Sequence, residues 1–500
     1  MKNTCLPLLV LFLATQIPAQ SLDVQLKAIF TNHQLMGMSV VKICNGQVDF
    51  SKGYGWADYD DQRPVTDSTL YRIASISKAV TATALMTLYD QGLFGLDDDI
   101  STTLGYSLRN PGFPTTPITF RMLLAHTSSI RDGVLYGNFL GATYSSNPPS
   151  VSAYFLPGGT YFSSSAFGTK KPGTFFTYSN ANYGLIATLI EKLSGQRFDV
   201  YCREKIFAPL DMQASFNLAD LPNPCNVAAL YRFQNGQWVA QQDELDCQPP
   251  VLPNLSGYVV GTNGFVFAPQ GGLRTSANDL AKFLLMHFHL GTLDSTTILA
   301  PATAALMRSP QWQYNGVNGN DYYGLFKSWG LGLHLTTNAP GADLVFPDRP
   351  MIGHAGEAYG LISDMYFDTF GNGVIFITNG SKNGYTTAPG SAFYTVEAAV
   401  YAAVAADLIT CAATGSEEPE VADDLRIFPN PANDQVWIST GATWRGREVE
   451  GRLLDITGKL IGTRTWRAAD EAVVWPLQGL GTGWYVLRVG TTVLRFWKSE

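Results

Sequence analysis

The alternation of apolar and polar positions divides this chain into elements before any chemistry is considered. Leu22 to Phe30 has the spacing of a first helix. Ser39 to Cys44, Asn45-Gly46 and Gln47 to Phe50 predict a hairpin, because Asn-Gly accepts the positive backbone angles of a two-residue turn. Ala79, Val80, Ala82, Ala84, Leu85, Met86 and Leu88 mark an apolar helix beginning near Ala74, and Tyr183 to Leu193 marks another. Further along, Leu361 to Phe367, Gly371-Asn372-Gly373 and Val374 to Thr378 predict a second hairpin, followed by an Ala-rich helix from about Ala392 to Leu408. Strands at both ends with helices between them predict an α+β fold. One antiparallel sheet is built from distant segments and flanked by helices, beside a mostly helical lobe.

The character of the chain changes after this unit. Thr414 to Asp424 is polar, carries Glu417, Glu418, Glu420, Asp423 and Asp424, and has no periodicity, as a solvated linker does. Beyond it, short alternating segments such as Val436 to Ser439, Gly451 to Asp455 and Trp484 to Val489 are separated by turns at Pro429-Asn430-Pro431 and Thr457-Gly458-Lys459. That is the pattern of a small all-β sandwich. At the other end, Lys2 precedes an apolar stretch from Leu6 to Ala14 and then Ile17-Pro18-Ala19-Gln20, which reads as a secretory signal. The stretch is too short for a stable membrane span, and no later one is long enough. The expected organisation is therefore a signal peptide at 1–20, a main domain at 21–408, an acidic linker at 409–425 and a β-sandwich at 426–500.

Composition narrows the function classes. With 500 residues, 46% of them apolar and 15% charged, the chain can bury a large core in more than one domain. A formal charge of -8 and a pI near 5.3 argue against a nucleic-acid partner. Cys5 leaves with the signal, so Cys44, Cys202, Cys225, Cys247 and Cys411 remain, and an odd number leaves at least one thiol free or paired with another chain. Cys225 and Cys247 bracket a loop-rich insertion and are the expected bridge. No Cys/His cluster has zinc spacing, and His287-x-His289 reads as a helix flank, so no cofactor is expected. The absence of Gly-x-Ser-x-Gly disfavours a standard α/β-hydrolase.

Chemistry enters with Ser75-Ile76-Ser77-Lys78 at the head of the apolar helix. Residues three apart share a helix face, so the hydroxyl and the amine can meet. A serine hydroxyl is a poor nucleophile until a base takes its proton. Two further stretches bear polar groups: Tyr178-Ser179-Asn180, led in by Lys171-Pro172-Gly173-Thr174, and His354-Ala355-Gly356. Tyrosine and lysine both start near pKa 10, and in a partly dry cleft each shifts the other, so either of Lys78 and Tyr178 can be the base. Ser179 or Asn180 also suits the cap of the following helix.

In this order and spacing, the three stretches resemble the serine β-lactamase and penicillin-binding-protein superfamily, in its class C, esterase and D-aminopeptidase branch. The flanking Leu123 to Ile130, Pro172 to Asn182, Ile206 to Met212 and Gly271 to Phe283 match as well, and the likeness covers residues 22 to 405. It implies a β-lactamase-like fold, catalytic roles for Ser75, Lys78 and Tyr178, and substrate contacts from Asn180, His354, Gly356 and Glu357. Asn180 would meet a substrate amide and help hold Lys78, while the backbone N–H groups of Ser75 and Glu357 would form an oxyanion hole. Gly356 would let substrate lie against its strand. Lactam-processing members carry lysine where this chain has His354, and histidine is mostly neutral at pH 7, so the resemblance leans toward ester or D-amino peptide substrates over lactams. The segment Gly133 to Lys170 suits a shaped pocket cover and equally an ordinary loop. The alternative is a catalytically inactive ligand-binding surface protein on the same fold, against which the intact Ser75, Lys78 and Tyr178 count.

Ile427-Phe428-Pro429-Asn430-Pro431, Leu454-Asp455-Ile456-Thr457-Gly458 and Gly483-Trp484-Tyr485-Val486-Leu487 resemble the C-terminal sorting domain of the type IX secretion system. That resemblance implies secretion machinery as a partner, passage through periplasm and outer membrane, a secreted or cell-surface destination and removal of the tail. A carbohydrate-binding or adhesive β module is the alternative for this region.

Overall fold

A nine-stranded antiparallel sheet holds the main unit together, and its strand order joins the two ends of that unit. The computed structural model describes residues 21–221, 223–245, 247–248, 255–339, 341–347, 349–414, 425–428, 432–440, 444, 446–455, 460–468, 472–481, 483–489 and 492–498. The expected signal at 1–20, the stretch 415–424 of the expected linker and the turns at 429–431 and 457–459 lie outside the described residues. Strand Gly37–Cys44 pairs with Gln47–Asp58 on one side and with Gly373–Thr378 on the other, with Val40 opposite Phe376. Gly373–Thr378 pairs in turn with Leu361–Phe367, and that strand with Ile352–Ala358. Asn45 and Gly46 have φ of 51° and 77°, the positive values that the Asn-Gly turn requires.

Both faces of the central strands are covered, which is why they read as near-continuous apolar runs. Val41, Ile43, Met365, Ile375 and Ile377 join the large core, with helices Ser77–Asp90 and Ala277–Phe288. Met38, Val40, Ile362, Val374 and Phe376 join a second core under helices Leu22–Asn32 and Thr395–Thr414. Helix Ser77–Asp90 is buried on every side from Ser77 to Leu88, as expected of a central helix with apolar residues all round. It packs beside helix Asn180–Ser194, which carries Leu185, Ile186, Leu189 and Ile190 into the same core.

Gly133 to Lys170 differs from the expected loop. It forms helices Tyr136–Thr143 and Ser152–Phe155, which bury Phe139, Tyr154 and Phe155 in the large core. Cys225 and Cys247 form the expected disulfide, while Cys202 is a buried thiol. The C-terminal strands form one three-stranded and one four-stranded sheet around Val436, Ile438, Leu453, Trp475, Leu487 and Phe496, a small sandwich. Among the described residues, no helix is long and apolar enough to cross a membrane.

Candidate active site

Ser75 lies in the 3-10 turn Ala74–Ile76, which runs directly into helix Ser77–Asp90, so the regular helix starts two residues after the hydroxyl. Ala74 has φ of 43°, a strained value for a residue with a Cβ and one found where structure holds a reactive group in place. One turn on, Lys78 is fully buried, and its Nζ donates to Ser75 Oγ at 2.9 Å and to the Gln270 carbonyl at 2.7 Å. Burial disfavours the ammonium and brings its pKa down to about 7, against a smaller opposing pull from the Asp132 carboxylate.

Tyr178 completes the group. Lys78 Nζ lies 4.8 Å from its ring centroid, and the Ser75 hydroxyl is near enough to its phenol to pull the phenol pKa down. The ring is held by Phe326, stacked at 5.1 Å, and by His126 at 4.4 Å, and Tyr322 donates its hydroxyl hydrogen to the Tyr178 carbonyl at 2.9 Å. Burial pushes the phenol well above its usual pKa, more than Ser75 pulls it down. The structure therefore brings Ser75, Lys78 and Tyr178 together as a hydroxyl, an amine poised near neutrality and a protonated phenol.

Asn180 is placed differently from the expectation that it holds Lys78. Its Nδ2 donates to Asp132 Oδ2 at 2.8 Å. Asp132 also accepts from Ser179 Oγ at 2.9 Å, from the Asn180 N–H at 3.2 Å and from the Ala181 N–H at 2.8 Å. Ser179 thus occupies the cap position without capping through its own side chain; a carboxylate from a distant loop satisfies the first N–H groups and faces the positive helix end. His126, from the same loop, accepts at Nδ1 from the Ser179 N–H at 3.1 Å, and Ser128 donates to Asn182 Oδ1 at 2.7 Å. The run from His126 to Asp132 is a clamp on the Tyr178 segment. Asp132 stands two residues past the Leu123 to Ile130 stretch that was legible as a motif, and its adjacency to that stretch is the signal that could have found it.

The strand that carries His354 and Gly356 lies against the turn of Ser75. His354 is fully buried against Trp329, 5.3 Å between centroids, and Tyr178, 6.1 Å. Its Nδ1 donates to the Ala355 carbonyl at 2.6 Å, and burial keeps its pKa well below the usual range. His354 is thus a neutral, buried side chain beside Tyr178. Gly356 is needed by the protein itself, since a Cβ there would lie 2.8 Å from the Ile73 carbonyl oxygen and 3.0 Å from the Ser75 nitrogen. The strand presses directly on the turn that carries Ser75. Glu357 is exposed, and its Oε2 accepts from the Tyr394 hydroxyl at 2.8 Å.

Residues 20–390 match the family described as Beta-lactamase, and residues 426–496 match the Secretion system C-terminal sorting domain. Penicillin-binding protein 4* of Bacillus subtilis (strain 168) is 30% identical over 180 residues, 36% of this chain and 37% of that protein. The match therefore spans little more than a third of that relative's length. The octameric penicillin-binding protein homologue from Pyrococcus abyssi superposes with a TM-score of 0.56 at 20% identity, over 96% of each chain. The D-amino acid amidase from Ochrobactrum anthropi SV3 superposes with a TM-score of 0.54 at 22% identity, over 79% of this chain and 99% of that one. At these identities the two structures support the fold. On the match over residues 20–390, the chain belongs to the beta-lactamase family of serine hydrolases and carries a secretion sorting domain at its C-terminal side.

Proposed function

We propose that this protein is an exported hydrolase in which Ser75 attacks the carbonyl of a small ester or amide and carries the acyl group until water releases it. The observation that supports this most is the fully buried Lys78 amine at 2.9 Å from Ser75 Oγ. With a pKa near 7, a sizeable share of Lys78 is neutral at physiological pH and can take the serine proton as the Oγ–carbonyl bond forms. Tyr178 keeps its proton, so it serves as a relay: as the carbonyl bond to the leaving group breaks, the phenol gives its proton to that group and recovers one from Lys78. Water enters by the reverse path, losing a proton toward Lys78 while Ser75 regains its own. The Ser75 and Glu357 N–H groups are the proposed oxyanion donors, each worth about 3 kcal/mol in the transition state.

Short-chain esters rank first as substrates, D-amino peptides second and β-lactams third. The neutral His354 beside Tyr178 supports this order, since the site lacks the permanent cation there that suits a lactam carboxylate. The order is tested by kcat/KM on p-nitrophenyl butyrate, a D-alanyl-D-alanine peptide and nitrocefin, with Ser75→Ala as control. Ester turnover leading supports it, and nitrocefin leading by orders of magnitude overturns it. We place the mature main domain after a signal at 1–20, and assign the C-terminal sandwich to export and removal; intact-mass measurement of the protein recovered outside the cells, showing both ends trimmed, is the expected result.

A further inference from the structure

Arg72 and Arg274 stand directly opposite each other where strand Tyr71–Arg72 pairs with Arg274–Thr275. Like charges in that position repel unless something between them is negative. Asp243 supplies one negative charge and gives it to Arg274, accepting from Nε at 3.0 Å and from Nη2 at 2.6 Å; both side chains are nearly fully buried. Arg72 donates its Nε to the Gly271 carbonyl at 2.8 Å and lies 5.0 Å from the Tyr359 ring centroid. Among the described residues its terminal nitrogens have no carboxylate partner. Among the described residues, two guanidiniums and one carboxylate leave one positive charge, in a setting where burial and the neighbouring Arg274 pull the Arg72 pKa down more than Asp243 raises it.

That charge faces a cavity of about 400 Å³ lined by Arg72, Arg274 and Asp243, with Phe216, Val266 and Phe267 as an apolar floor. Tyr144 and Tyr359 also line it and are both exposed. Arg72 on the cavity wall stands three residues before Ser75 and is tied to the same backbone segment as Lys78. The consecutive carbonyls of Gln270 and Gly271 bind Lys78 and Arg72 respectively, and Gly271 packs against Ala74. An apolar body with one negative end satisfies every feature of the walls, whereas a cationic ligand meets uncompensated positive charge.

We propose that this cavity is a carboxylate subsite that binds the anionic end of an acyl substrate whose ester or amide bond lies at Ser75. The subsite role rests on the hydrolase reading above; the recognition of a carboxylate can be measured without it. Calorimetric titration of the wild-type protein compares 4-phenylbutyrate with 4-phenylbutyramide, which has the same shape without the charge. The expected result is at least tenfold tighter binding of the carboxylate, lost in Arg72→Gln and largely restored in Arg72→Lys. Equal binding of acid and amide, or a preference that survives in folded Arg72→Gln, overturns the proposal. If Arg72→Gln does not fold, the wild-type contrast and the Arg72→Lys variant decide it.

A second measurement compares mono-p-nitrophenyl glutarate with p-nitrophenyl pentanoate, matched in chain length. A kcat/KM at least tenfold higher for the glutarate, abolished by Arg72→Gln, supports the subsite. Turnover of both esters at equal efficiency overturns it and leaves the hydrolase reading standing. Turnover of neither, with selective carboxylate binding retained, supports the carboxylate site and counts against the hydrolase reading alone.

Discussion

Lys78 Nζ and Ser75 Oγ are 2.9 Å apart across a single turn, with the lysine sealed from solvent while the serine remains partly exposed. The amine therefore feels a dry environment and the hydroxyl can still meet substrate. Because the lysine must be neutral to accept a proton, kcat/KM is expected to rise with pH and reach half its plateau near pH 7, the pKa of the buried amine. A pH–rate profile on a neutral ester checks this. Lys78→Arg, which stays charged, is expected to lose about 10³-fold or more in kcat at every pH.

The same burial has a thermodynamic cost. Folding lowers the Lys78 pKa from 10.5 to about 7, so between those values the unfolded chain binds the extra proton and stability rises with pH; below about 7 both states are protonated and the full cost remains. Lys78→Met is expected to be inactive and yet more stable at pH 7, by about 1 kcal/mol or more, with a flatter stability–pH curve from 7 to 10. Chemical denaturation across that range measures both quantities.

Asp132 fixes Tyr178 indirectly, by accepting from Ser179, Asn180 and Ala181. Asp132→Ala removes a helix cap and is expected to cost about 1 to 2 kcal/mol of stability. It should also lower kcat by about 10²-fold, since a small displacement of Tyr178 breaks the relay. Asp132→Asn keeps part of the acceptor set, so its kcat is expected to fall between the two. Thermal melts and steady-state kinetics on both variants check the order.

Gly356→Ala places a Cβ against the Ile73 carbonyl and the Ser75 nitrogen, and neither backbone atom can move without moving Ser75. A loss of about 1 to 3 kcal/mol is expected from overpacking. The fall in kcat should exceed what the lost stability explains, and kinetics well below the melting temperature separate the two effects.

Much of this architecture was legible in residue order because it is local. The Ser75 and Lys78 spacing needs only one turn, the Asn45-Gly46 turn declares itself by its residues, and the strand Leu361–Phe367 stands where its apolar run predicts. What depends on tertiary approach was not legible. Asp132 reaches Asn180 across 48 positions, Arg72 meets Arg274 across a strand pairing that no periodicity announces, and His354 is buried against Trp329. The base was open between Lys78 and Tyr178 for the same reason. Burial acts on both, and it lowers the amine toward neutrality while raising the phenol away from it.

The most direct test of the central claim is covalent labelling with a fluorophosphonate at neutral pH, read by intact mass and then by peptide mapping. The expected result is a single adduct located on Ser75, slowed by Lys78→Met and absent from folded Ser75→Ala. An adduct on a different residue, or a folded wild-type protein that no acylating or phosphonylating probe modifies, contradicts it.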